Sequence, residues 1–327
     1  MTRHTDINNH AEIMYSAELY LRIYLLGYPF LLLYDFGSAI LRARGDSRFP
    51  FIALAISGII NLLLNMLLVI VFHLGVSGVA IATDISTFFS AVMVLCYLKK
   101  DTAFFHLSFK NLHINYKYII KIMKIGIPSA VQGAVFCFAN IFVQASVNSF
   151  GAVATAGSTI AMNFEYFAYY VITSFGQTAT TFTSQNYAAG QKKRCRHILW
   201  LCILFSTIAS LLIIEPIVIF HDNFSGLFST DTAVIQNAGI RILCILFFEP
   251  VCGLYEIPAG VLRGTGHSLL PAVITIIGTC AFRIIWIFTF FSEHHRLEIL
   301  YIAFPISWVI TITLMLLSFI IVKPMKK

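Results

Sequence analysis

Charge is what this sequence has least of. Asp, Glu, Lys and Arg make up 11% of its 327 residues, against about a quarter in soluble domains. So few charges cannot clothe a water-facing surface, and 58% of the residues are hydrophobic. Other absences narrow the class further. Residues 1–16 are polar and carry no basic head, apolar run and small-residue cleavage site of a signal peptide. The seven cysteines form no CxxC pair and no ligand spacing, so neither disulfides nor a metal site is expected. Six of them lie in apolar runs, at Cys96, Cys137, Cys202, Cys244, Cys252 and Cys280, and Cys195 lies in a basic stretch. HExxH and GxSxG are missing, so no catalytic residue is assigned and the chain is not expected to be an enzyme. Alternating ten-residue segments, the mark of a membrane β-barrel, are missing too.

In their place stand continuous apolar runs of about 20 residues, each long enough to cross a hydrocarbon core about 30 Å thick as a helix. The fold class is therefore an all-α polytopic membrane protein. About nine spans are expected, near residues 17–41, 49–74, 76–98, 120–147, 152–186, 197–220, 238–263, 269–291 and 298–322. Gly, Ser and Thr are spread through them and let helices approach closely in lipid.

The basic residues alternate with the spans. Arg42, Arg44 and Arg48 follow the first span. Lys99, Lys100, Lys110, Lys117, Lys121 and Lys124 follow the third, and Lys192, Lys193, Arg194 and Arg196 the fifth. Arg263 follows the seventh, and Lys323, Lys326 and Lys327 the ninth. That is 17 of the 22 Lys and Arg residues on one side. By the positive-inside rule this side is cytoplasmic, with the C-terminus inside and the N-terminus of this chain outside. The expected location is the plasma (inner) membrane, and the bilayer is the main partner. The net charge of +7 then reports topology rather than nucleic-acid binding.

One stretch occurs twice. PFLLLYDFGSAILRARGDSRFP, from Pro29 to Pro50, is echoed without a gap by PVCGLYEIPAGVLRGTGHSLLP, from Pro250 to Pro271, at a constant offset of 221 residues. Tyr34 falls on Tyr255, Asp35 on Glu256, Arg42 on Arg263, Gly45 on Gly266 and Ser47 on Ser268. Two pseudo-equivalent helical bundles follow, a construction common in transporters. The second copy has three spans before it and the first has none. The expected domains are a polar lead-in (1–16), a partial first bundle of three helices (17–98), a cytoplasmic linker (99–116) and a six-helix second bundle (117–327). Three further helices are expected to precede the first copy in the intact architecture.

The residues that carry a family likeness are YLRIYLLGYPFLLLYDFGSAILRARGDSRFP (20–50), HLGVSGVAIAT (73–83), IGIPSAVQ (125–132), FGQTATTFTSQNYAAG (175–190) and LRGTGHSLLP (262–271). In order and spacing, the chain resembles the multidrug and toxic compound extrusion (MATE) family. The resemblance implies two six-helix bundles around a central cavity. It also implies export of drugs and other cationic or amphipathic small molecules in exchange for Na⁺ or H⁺, with no other cofactor, by a monomer with alternating access. Two alternatives stand beside it: a flippase for lipid-linked precursors of the same superfamily, and a non-transporting truncated remnant. The departures are specific. The first helix, which carries the coupling Asp of proton-coupled relatives, is not in this chain. The places of the acids in Na⁺-coupled relatives read Phe136 and Cys252.

An ionisable group inside a membrane is a functional candidate by default. Glu165, Asp35, Glu256 and Asp84 are the candidate carboxylates of the ion and substrate pathway. Gln177 lies on the helix of Glu165, and Tyr166 and Tyr169 offer ring faces to a cation. Each acid also has a structural reading. Asp35 or Glu256 pairs with Arg22, Arg42, Arg241 or Arg263. Asn61 and Asn65, one turn apart, hydrogen-bond between helices. Arg283 acts as a structural counter-charge. Glu215 and Glu249 are placed near the outer ends of their spans, as interfacial groups.

Overall fold

The repeated turn shows how the sequence writes this fold. Helix α1 (Thr2–Arg44) ends where Gly45 takes φ +98°. The N–H of Gly45 donates to the Arg42 carbonyl and that of Asp46 to Leu41, both at 3.0 Å. In the second copy Gly266 takes φ +89°. Its N–H donates to Arg263 at 3.0 Å, and that of His267 to Leu262 at 2.8 Å. Both are Schellman ends, in which glycine alone enters the left-handed region without strain. Leu41 and Leu262 are fully buried beneath them.

The computed structural model describes the backbone of residues 2–100 and 113–324, and side chains from residue 14 onward. Most of the expected linker, 101–112, lies outside the described residues. The chain divides into two compact units, Met1–His113 and Ile114–Lys327. Among the described residues no strand forms, and eight helical segments are long and apolar enough to cross a membrane.

The first unit is α1 with α2 (Arg48–Asn65), which continues as a π-helical stretch to Val71, and α3 (Gly75–Lys100). Tyr34, Leu41, Ala53, Ala91, Val94 and Leu98 form its core. The Tyr34 hydroxyl donates to the Pro50 carbonyl at 3.0 Å, pinning α1 to the start of α2. Asn61 donates to Thr83 and Ser86 at 3.4 and 3.3 Å, Asn65 donates to Asn61 at 3.0 Å, and Ser57 to the Ser86 carbonyl at 2.6 Å. These bonds tie α2 to α3.

The second unit begins with α4 (Tyr116–Asn148), α5 (Ala152–Ala188), α6 (Lys192–Ile219) and the short α7 (His221–Gly226). At 37 residues α5 is a ninth long helix. It is more polar than the others, and many of its hydroxyls are satisfied within it. Thr159, Ser174, Thr178 and Thr180 each donate to the carbonyl four residues back, at 2.7–3.0 Å. Its buried stripe is mostly small: Ala154, Gly157, Ser158, Ala161, Ala168, Gly176 and Ala179.

The expected span 238–263 is longer and broken. It runs as α8 (Thr232–Cys244), a 3₁₀ stretch (Leu246–Cys252) and α9 (Gly253–Gly264). Pro250 lacks an N–H and disfavours α geometry in the residue before it, which accounts for the break. On α9, Gly260 and Gly264 lie against the backbone of α5. A Cβ on Gly260 would strike the Gly176 carbonyl, and one on Gly264 would lie 2.7 Å from that of Thr180. Then come α10 (Leu269–Thr275), a π-helical stretch (Ile276–Ala281), α11 (Phe282–Trp286), a second π-helical stretch (Ile287–Phe291) and α12 (Leu297–Val322).

Candidate functional site: a charged cavity in the second unit

A cavity of about 220 Å³ opens among α4, α5, the broken α8–α9 segment, α10–α11 and α12. Its lining is that of a ligand site: aromatic walls and a few convergent polar groups. Phe136, Tyr166, Tyr169, Phe304 and Trp308 supply rings. Three carboxylates (Glu165, Glu249, Glu256) and two guanidinium groups (Arg241, Arg283) supply charge.

Three of the five charges on the wall are closed into ion pairs. Arg241 forks onto Glu165, with Nε to Oε1 at 2.6 Å and Nη2 to Oε2 at 2.8 Å. Its Nη1 donates to Ser158 at 2.8 Å, and the Tyr301 ring lies 5.3 Å from its centre. This is the fixed two-pronged geometry that arginine offers a carboxylate. Glu256 accepts from Arg263 Nη1 at 3.1 Å, two turns along α9. The remaining two charges are open. Glu249 is 6% exposed, and its Oε2 has no hydrogen-bond partner. Arg283 is 3% exposed. Its Nε donates to Ser307 at 3.1 Å, and the Phe304 ring lies 3.8 Å from its centre. No carboxylate stands within 4 Å of it among the described residues.

Of the residues singled out from the sequence, the cavity brings together Glu165, Glu256, Tyr166, Tyr169 and Arg283. Gln177 is exposed elsewhere on α5. Asp35 is exposed on α1 of the first unit. Asp84 is half-buried on α3, with its carboxylate filling the place a Cβ would take on Gly27 of α1. Arg22, offered as a partner for Asp35 or Glu256, pairs instead with Glu18. The placement of Glu249 at an outer interface is corrected. The helical segment that contains it runs from Thr232 to Gly264, and Glu249 stands near its middle, buried in the cavity wall. Arg241, expected to meet Asp35 or Glu256, closes instead on Glu165. A usable signal for Glu249 was present: it sits directly before Pro250, one turn ahead of Cys252, and Cys252 also lines the cavity. Phe136 lies in the wall as well.

These features define a polytopic helical membrane protein built from a repeated unit, with a charged, aromatic cavity in its second unit. Comparison with known proteins adds a family likeness. The MatE family profile matches residues 128–289, and a second profile, Lipid II flippase MurJ, matches residues 9–156. The chain is 25% identical over 312 residues to the probable multidrug resistance protein YoeA of Bacillus subtilis (strain 168), covering 93% of this chain and 67% of YoeA. It is 28% identical over 283 residues to the probable multidrug resistance protein NorM of Thermotoga maritima, covering 83% of this chain and 59% of NorM. Its fold is similar to a crystal structure of MATE in complex with MaL6, at a TM-score of 0.86 and 17% identity, over 94% of this chain and 70% of that one. These comparisons support a transporter similar to the MATE family, whose profile covers just under half of the chain, and none of them points to an enzyme. It spans about three fifths to two thirds of the length of these curated relatives.

Proposed function

We propose that the chain forms part of a MATE-type exporter whose second unit binds cationic or amphipathic small molecules, exchanged for H⁺ or Na⁺. The observation that carries this reading is the open carboxylate of Glu249 in an aromatic-lined cavity. A buried carboxylate without a partner is unstable unless it takes up a cation or a proton. Tyr166, Tyr169 and Trp308 add ring faces for an organic cation. Ion and ligand then compete for one carboxylate. The names of YoeA and NorM, both probable multidrug resistance proteins, agree with such a ligand. The sequence reading of Asp35, Asp84 and Gln177 as pathway residues has no counterpart in this cavity and is carried only by their polarity within spans.

The test is ethidium binding to the purified chain in lipid nanodiscs, followed by fluorescence. Binding that weakens about tenfold on acidification from pH 8 to pH 6 assigns H⁺ as the competitor. Binding that weakens on replacing choline chloride by NaCl assigns Na⁺. Binding indifferent to both removes ion exchange from the reading. The orientation expected from the basic residues, with the C-terminus in the cytoplasm of the inner membrane, is read by a fluorescent-protein fusion after Lys327. Such a fusion fluoresces only if that end is cytoplasmic.

A flippase for lipid-linked precursors is the second reading. The MurJ profile match over residues 9–156 favours it, as do the two arginines in the cavity wall.

A further inference from the structure

The second unit holds one buried carboxylate and one buried guanidinium, in one cavity, that are not spent on each other. Glu165 with Arg241, and Glu256 with Arg263, already match charge for charge. Glu249 and Arg283 remain, both at least nine-tenths buried. A guanidinium has five N–H donors. Ser307 takes the one on Nε of Arg283, which leaves the Nη end of the fork on the cavity wall. The rings of Phe304 and Trp308, 3.8 and 6.0 Å from its centre, hold the guanidinium plane in place. Such a fork is shaped for a carboxylate.

The backbone around Arg283 singles it out further. Arg283 sits in five α-helical residues between two π-helical stretches. The second of these, Ile287–Phe291, has its repeat counterpart in Met66–Val71 of the first unit, which is also π-helical. The first, Ile276–Ala281, has none. Its counterpart, residues 55–60, lies in regular α-helix, and the counterpart of Arg283 is Leu62. The distortion just before Arg283 therefore belongs to the second unit alone. π-Turns inside helices are frequent at functional sites, where they change the face a following side chain presents.

We propose that this cavity takes an amphoteric ligand, with the ligand's carboxylate on Arg283 and its ammonium on Glu249. The inference rests on the reading of the cavity as a ligand site and adds the charge pattern of the ligand. A purely cationic ligand would satisfy Glu249 and leave the Nη donors of Arg283 desolvated. A purely anionic one would do the reverse. An amphoteric molecule answers both, and it binds more tightly than a partner lacking either group because a buried polar group is then left unpaired.

Three probes with one fluorophore test this on the wild-type chain in nanodiscs. Nε-dansyl-lysine carries both charges, its methyl ester only the ammonium, and its Nα-acetyl derivative only the carboxylate. The zwitterion is expected to bind about tenfold or more tightly than either derivative. Arg283→Gln should abolish its advantage over the ester. Arg283→Lys should restore part of the advantage. An ester that binds the wild-type chain as tightly as the zwitterion overturns the proposal, and this comparison needs no variant to fold. So does a zwitterion preference that survives Arg283→Gln. Ester binding that is lost in Glu249→Gln, without any zwitterion preference, sinks this inference and leaves the cation-binding reading standing. If none of the three probes nor ethidium binds, both fall.

Discussion

At the scale of single residues, the cavity separates charges that hold the structure from charges left for a ligand. Glu165 was the strongest acid on sequence grounds, lying in the polar, aromatic run MNFEYFAYY. The structure gives it a bidentate pair with Arg241, whose side chain is 5% exposed. Loss of transport in Glu165→Gln would therefore mix a lost ligand contact with a buried arginine left uncompensated. Removing one partner of such a pair costs about 3–5 kcal/mol, whereas replacing both by apolar groups is often near neutral. The expectation is that Glu165→Leu lowers thermal stability in detergent strongly and that Glu165→Leu with Arg241→Met recovers most of the loss. Additive losses in the double variant would show that the pair is not coupled. This pairing was not legible in the sequence. Its partners are 76 residues apart, and no local pattern says which of several arginines meets which acid. The neighbours Tyr166 and Tyr169 were legible, because helical spacing carries them to the same wall as Glu165.

Among the elements, α5 and α9 illustrate how this chain packs without a hydrophobic force between helices. The small residues of α5 and the Gly260 and Gly264 positions of α9 bring two backbones into contact. Gly260→Val pushes two methyl groups at the Gly176 carbonyl, which belongs to helix backbone and cannot rotate away. Overpacking of this kind costs about 1–3 kcal/mol, so the variant should melt earlier in detergent than Gly126→Ala, whose site has open space around it. Equal melting of the two would mean that the helices separate without cost. Helix existence was legible throughout, since runs of apolar residues longer than 20 leave little choice. The break in the α8–α9 segment was not. Pro250 announces a disturbance, but the turn by which Glu249 enters the cavity depends on packing against α5, α6 and α12. The lead-in before residue 17 reads as polar, yet α1 begins at Thr2, because an N-terminal helix can extend past the hydrophobic part of its span.

For the whole molecule, the duplicated turn carries the argument. The match from Pro29 to Pro50 with Pro250 to Pro271 reappears as two helix ends with the same hydrogen bonds and the same left-handed glycine. That much was legible because turn chemistry is local. The two units part company in what they hold. The positions of Arg241, Glu249 and Arg283 are Tyr20, Tyr28 and Leu62 in the first unit, so the charged cavity is a property of the second copy and not of the repeat. Sequence alignment of the two copies hid this, since it drew attention to Asp35 and Glu256, the acids they share. The account's central claim is that the second-unit cavity is the ligand site and Glu249 its cation-binding group. The most direct measurement is the dissociation constant of ethidium for the purified chain carrying Glu249→Gln, compared with Glu215→Gln on α6. A tenfold or greater weakening in Glu249→Gln, with Glu215→Gln unchanged, is the predicted result. Unchanged affinity in Glu249→Gln, or equal weakening in both variants, would contradict it.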